Sequence, residues 1–137
     1  MGQKSTILIV DDESGPRESL KMILKPFYNI ETAENALQAL DIIGKKQIDL
    51  ITLDLKMPGM NGEEALLRIK EKQPSIEVLI ITGNGSAKHA IDLIRKGASG
   101  YEFKPFNISK IVMNISKTLD RKKKMEKLKN IFHQTGS

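Results

Sequence analysis

The chain of 137 residues contains no cysteine. That removes disulfides, thiolate metal centres and cysteine nucleophiles together. Its two histidines, His89 and His133, are too few and too far apart in sequence to suggest a zinc cluster. No apolar run approaches the roughly 20 residues that a membrane-spanning helix needs. The opening Met1–Ser5 passes straight into a short apolar strand pattern rather than a signal peptide, so a cytoplasmic location is expected. Internal repeats are absent, and the one biased segment is a basic tail. What remains is 39% hydrophobic and 28% charged, the range of a globular domain rather than a disordered chain. The length suits one domain, able to bury roughly two-thirds of its unfolded surface without staples.

The net charge of +5 is unevenly spread. Residues 120–137 hold Arg121, Lys122, Lys123, Lys124, Lys127 and Lys129 against Asp120 and Glu126, which is +6 − 2 = +4. The other residues therefore carry only +1. Basicity belongs to the tail, so nucleic-acid binding by the fold itself is not expected.

Short apolar runs alternate with helical patterns from Thr6 onward. Thr6–Val10 is apolar on both faces, as a buried parallel strand requires. Pro16 offers a helix first turn, followed by Leu20, Ile23, Leu24 and Phe27 at helical spacing. Tyr28–Ala33 alternates like a half-buried edge strand. Asn35 can cap a second helix carrying Leu37, Leu40 and Ile43, with Gly44 as its stop. Ile48–Leu53 is the third strand and runs into Asp54. The loop Met57–Gly62 leads to a third helix through Leu66 and Ile69 that ends before Pro74. Val78–Ile81 is the fourth strand, Ala90, Ile91 and Ile94 mark a fourth helix stopped by Gly97, and Gly100–Phe103 is the fifth strand. A last helix starts near Ile108. Alternating βα units predict an α/β fold, a doubly wound five-stranded parallel sheet with helices on both faces and the flavodoxin-like order 2-1-3-4-5.

Such sheets bind ligands at the carboxyl ends of their strands. There this sequence places Asp11, Asp12 and Glu13 after strand 1, Asp54 after strand 3, Thr82 at the end of strand 4 and Lys104 after strand 5. A single acid at a strand end is usually a helix cap or a solvated loop charge. Acids at several ends, joined by a hydroxyl and an ammonium, point to one rim with one purpose. Crowded carboxylates need a cation, and oxygen ligands without histidine or cysteine suit Mg²⁺. A lone lysine is a point charge suited to a phosphoryl oxygen. The residue types predict phosphoryl transfer onto Asp54, with Mg²⁺ and Lys104 spreading the transition-state charge.

Asp11-Asp12-Glu13, Asp54 followed by Met57-Pro58-Gly59-Met60-Asn61-Gly62, Thr82-Gly83 and Lys104-Pro105-Phe106 together resemble the receiver domain of bacterial two-component response regulators. The resemblance covers about residues 5–120, leaving 121–137 as a basic helical extension or linker. It implies that Asp54 is the phosphoacceptor, that Asp11, Asp12 and the backbone carbonyl of Lys56 join Asp54 around Mg²⁺, and that Thr82 and Lys104 hold phosphoryl oxygens. Tyr101 matches an aromatic switch position whose ring turns inward when Thr82 moves; on position alone it could be an ordinary strand aromatic. Lys104–Pro105 is expected to be cis, the isomer only X–Pro bonds adopt cheaply. Lys56 and Asn84 flank the path of an attacking water and would tune hydrolysis of the phosphoaspartate.

The implied function is a signalling module rather than an enzyme. A sensor histidine kinase or phosphotransfer protein would phosphorylate Asp54, and the face of helix 4, strand 5 and helix 5 would contact an effector domain or partner. A Mg²⁺-dependent aspartyl-phosphate phosphohydrolase is the alternative, but such enzymes want a second Asp two residues after the nucleophile, where this chain has Lys56. A pseudo-receiver that binds partners without phosphorylation is a third reading, opposed by the intact acidic cluster. After strand 5 too few residues remain for an output domain. Nothing breaks the last helix before Gly136, and Met125, Leu128 and Phe132 form a narrow apolar stripe within it. That stripe would dimerise or link to an effector; the run Arg121–Lys124 reads as a solvated face.

Overall fold

The computed structural model describes residues 4–55, 59–83 and 87–135. Five strands, β1 (Thr6–Val10), β2 (Asn29–Ala33), β3 (Leu50–Leu53), β4 (Glu77–Thr82) and β5 (Gly100–Phe103), alternate with α1 (Ser14–Leu24), α2 (Ala36–Lys45), α3 (Gly62–Lys72), α4 (Ala87–Arg95) and α5 (Ile108–Thr135). All strand pairs are parallel and the order is β2-β1-β3-β4-β5, as the alternation predicts. Among the described residues, no helix is long and apolar enough to cross a membrane.

The apolar strands are apolar because both faces are covered. On one face Leu8, Val10, Ile51, Leu53, Val78 and Ile80 meet Leu40 and Ile43 of α2, Leu66 and Ile69 of α3, and Leu93 of α4. On the other, Ile7, Ile9, Leu50, Leu79 and Ile81 meet Leu20 and Leu24 of α1 and Ile111, Ile115 and Leu119 of α5. Neighbours in sequence thus serve opposite layers, the period-2 rule of a strand. Burying each Leu or Ile contributes roughly 1.5–3 kcal/mol, so the strands are pinned in register from both sides.

Caps set the helix starts. Asn35 Oδ1 accepts from the Gln38 N–H at 2.9 Å and Asn61 Oδ1 from the Glu64 N–H at 2.8 Å, each satisfying a donor that the first turn leaves unpaired. Gly97, at φ +115°, takes the left-handed turn that follows α4.

Some boundaries differ from expectation. α1 ends at Leu24, so Phe27 falls out of helical register and is 63% exposed. α2 runs one residue past Gly44, and Leu37 lies on its outer side. β3 starts at Leu50 because the Asp49 carboxylate accepts the Thr6 N–H at 2.8 Å. The run Arg121–Lys124 is not uniformly solvated: Lys122 is buried, and its ammonium donates to the Asp49 carbonyl at 3.2 Å with the Asp49 carboxylate at 3.7 Å. α5 passes without a break through the expected boundary at 120/121.

Candidate functional site

Each site residue sits where the sheet ladder runs out, which is what holds it still. The Asp11 N–H donates to Ala33 O, the Asp54 N–H to Val10 O and the Lys104 N–H to Thr82 O, at 3.2, 3.1 and 2.9 Å. Backbones are therefore fixed one step beyond the strands, and their side chains converge on the rim.

There the Lys104 ammonium spans two carboxylates, 2.9 Å from Asp11 Oδ2 and 3.1 Å from Asp54 Oδ2. Glu13 lies 3.9 Å from the same nitrogen. Burial alone would lower the Lys104 pKa; hydrogen bonds and charge from Asp11 and Asp54 outweigh that and hold it above its ordinary value. Asp54 and Asp11 are buried, whereas Asp12 and Glu13 face solvent. The carboxylates of Asp11, Asp12, Glu13 and Asp54 bring oxygens within 4.8 Å of one another. An all-oxygen set, part buried and part open to water, fits Mg²⁺, which keeps several waters and takes few protein carboxylates. Receiver domains bind Mg²⁺ at such an acidic pocket.

The acidic loop is tied down from below. Its own Asp11 carboxylate accepts the Glu13 N–H at 3.0 Å, and the Arg17 guanidinium donates to the Asp11 carbonyl at 2.9 Å while facing Glu34 at 3.7 Å. Arg17 was not visible as a site residue in the sequence. An arginine in the first turns of the helix after an acidic loop was the available signal. Glu13, although next to the expected ligands, also joins the cluster without having been among them.

Thr82 is fully buried at the end of β4. Its register partner is Phe103, and Ile80 pairs with Tyr101, so Thr82, Tyr101 and Phe103 share one sheet face. The Tyr101 ring packs against the core layer under α4, 4.9 Å from the Phe103 ring. Its hydroxyl is buried and makes no hydrogen bond with any described residue, and burial raises its pKa. The ring expected to turn inward thus already lies inward here. The Lys104–Pro105 peptide is cis, as expected. Lys56 and Asn84 lie outside the described residues.

The family model for the response regulator receiver domain matches residues 7–116. The chain belongs to the receiver family. Sporulation initiation phosphotransferase F of Bacillus subtilis is 41% identical to this receiver over 117 residues, covering 85% of the chain and 94% of the relative. Transcriptional regulatory protein ZraR of Klebsiella oxytoca is 36% identical over 119 residues, covering 86% of the chain, and there the receiver spans only 27% of the relative's length. Among solved structures, the signal receiver domain of a putative LuxO repressor protein from Vibrio parahaemolyticus matches with a TM-score of 0.87 at 31% identity, covering 92% of this receiver and 98% of that chain. Relatives of both kinds exist, then, some little longer than this receiver and some several times its length. Receiver domains interact with histidine kinases, and family membership disfavours the phosphohydrolase alternative.

Proposed function

We propose that Asp54 is the phosphoacceptor of this receiver, and that a sensor histidine kinase or phosphotransfer protein supplies the phosphoryl group. One observation carries the reading: a buried carboxylate at the end of the central strand shares an ammonium with a second buried carboxylate, 3.1 and 2.9 Å away. An Asp54 oxygen would form the new O–P bond as the P–N bond to the donor histidine breaks, the electron pair staying on the imidazole. Lys104, kept cationic by its neighbours, then has a phosphoryl oxygen to hold in place of a bare carboxylate. Thr82 would donate its hydroxyl to another oxygen. Asp11, Asp12 and Asp54, with the Lys56 carbonyl, would hold Mg²⁺, and Glu13 lies close enough to bear on the same ion through water. When bound, Mg²⁺ supplies the charge neutralisation that lets an anionic donor approach this rim.

Phosphorylation would shift a two-state equilibrium read on the α4–β5–α5 face. Ile91, Ile94 and Phe103 are about half exposed there, an apolar surface for an effector domain, a partner or a second copy of the chain. The chain acts in the cytoplasm as a signalling module and not as a turnover enzyme. Incubation with acetyl phosphate and Mg²⁺ should add one phosphoryl mass to the wild-type chain and none to Asp54→Asn. A variant that gains the mass at the wild-type level removes Asp54 from the role.

A further inference from the structure

α5 outruns the fold it helps to cover. Ile115 and Leu119 are its last core side chains, and Lys122 is its last buried residue. From Lys123 on, every described side chain is exposed. The helix continues to Thr135, which is about 20 Å past the core at 1.5 Å per residue. A free helical stretch this short is marginal in water, so its order depends on what covers it.

Four apolar side chains lie on that stretch, Met125, Leu128, Ile131 and Phe132, and Ile131 is 53% exposed. Met125, Leu128 and Phe132 are 55%, 47% and 70% exposed. At 100° per residue Met125, Leu128 and Phe132 fall within an arc of about 60°, rotated roughly 90° from the Ile111–Ile115 core face, and Ile131 extends it by about 60° on the side away from that face. The stripe therefore does not continue the surface that α5 packs on its own sheet. Lys124 lies between Leu128 and Ile131 in azimuth, Lys129 about 40° beyond Met125 on the other side, and Arg121 stands in line with the stripe one turn earlier. Glu126, the one acid after Asp120, points about 100° away from Met125. Arg121, Met125 and Lys129 also border a cleft of about 520 Å³ between α5 and the turn at Pro74–Ser75.

A second copy of this chain is a poor occupant. In a parallel pair, Lys124 of one helix would face Lys129 of the other, once on each side of the seam. Like charges along both sides of a seam select against that pairing. The geometry points to an acidic amphipathic helix of a partner protein, its apolar seam on Met125, Leu128 and Phe132 and its carboxylates on Arg121, Lys124 and Lys129. Nothing in this docking site involves Asp54, so it stands or falls apart from the phosphoacceptor reading.

The test titrates the full chain with three probes. These are a three-heptad peptide with Leu at a and d and Glu at e and g, the same peptide with Lys for Glu, and phosphatidylglycerol vesicles. The Glu peptide should bind one-to-one and at least roughly tenfold tighter than the Lys peptide, with the chain alone monomeric in sedimentation equilibrium. The double variant Leu128→Gln, Phe132→Gln should weaken binding at least roughly tenfold. The double variant Lys124→Glu, Lys129→Glu keeps the stripe and the helix propensity and should reverse the preference between peptides. Phosphorylation by acetyl phosphate should be unchanged in both. A dimer that Leu128→Gln dissolves, binding to vesicles without binding to the Glu peptide, no binding to the peptide, or peptide binding indifferent to both variants would each overturn the proposal.

Discussion

Tyr101→Phe removes one oxygen and leaves the ring, its contact with Phe103 and its place in the core layer intact. In the wild-type chain that oxygen is buried and makes no hydrogen bond with any described residue. A hydroxyl taken from water without a partner costs about 1–3 kcal/mol, and the cavity left by a single oxygen is small. The variant should therefore be more stable than wild type by about 1–2 kcal/mol near neutral pH. Urea slopes of about 1–2 kcal/mol/M convert that into a rise of roughly 1 M in the unfolding midpoint.

The pH dependence supplies a second reading of the same oxygen. Burial raises the Tyr101 pKa above its ordinary 10.0. As pH rises past 10.0 the unfolded tyrosine loses its proton first, and the folded one keeps it until the higher value is reached. The folded state then binds more protons than the unfolded, so wild-type stability falls with pH through this window and is intact below it. Phe cannot ionise, so the advantage of the variant should widen above pH 10 and be flat below. Tyr28, whose pKa burial also raises, is present in both proteins and cancels. A variant less stable than wild type by about 1 kcal/mol or more would mean that the hydroxyl is well bonded, and the reasoning would be wrong. The same energy bears on switching: a state in which the hydroxyl finds a partner or water is favoured by up to that amount, about tenfold in population for 1.4 kcal/mol.

Mg²⁺ at about 100 times its Kd should stabilise the wild-type chain by about 2.7 kcal/mol, and thermal melts should show Asp12→Ala losing most of this response; an undiminished response would remove Asp12 from the site. Thr82→Ala should still accept phosphate, because Lys104 and Mg²⁺ supply most of the charge stabilisation. It should nonetheless lose most of the amide shift changes at residues 88–112 that a phosphoryl mimic produces in wild type, and full wild-type changes would send the coupling by another route. Gly62→Ala should destabilise by about 2 kcal/mol or more in urea melts: a Cβ there would stand 2.5 Å from the Leu55 Cα, a backbone atom that cannot step aside. Near-neutral behaviour would mean the start of α3 is looser than this packing implies.

The sheet was legible because every central strand is buried on both faces, which forces runs such as Leu50–Leu53 and Val78–Ile81 that helices rarely match. The rim was legible because Asp11, Asp54, Thr82 and Lys104 each stand at or one step past a strand end, so sequence position alone placed them together. What escaped were contacts between residues far apart in the chain. Nothing near Asp49 announces that its carboxylate takes the Thr6 N–H and so delays β3. Nothing within Arg121–Lys124 singles out Lys122, which is buried because it falls seven residues after Ile115 on the core face of α5. Arg17 escaped for a related reason. Its partner is a backbone carbonyl, and backbone carbonyls leave no trace in residue identity.

On the proposed function, a path from the rim to the α4–β5–α5 face would follow from the ladder rather than from any single side chain. Thr82 and Lys104, the two groups proposed to hold phosphoryl oxygens, are already joined by the Lys104 N–H to Thr82 O bond of 2.9 Å. A pull on either moves the end of β5. Tyr101 lies three residues back on that strand, on the face that Thr82 shares, and its ring is wedged between the core and Phe103. Close-packed interiors do not deform smoothly, so a displacement of β5 resolves into one ring position or another. The unsatisfied hydroxyl would then set how far those positions differ in energy. On the proposed function, chemistry at Asp54 and shape at α4–β5–α5 would be linked through one short strand, and the length of that strand is why the link can be tight.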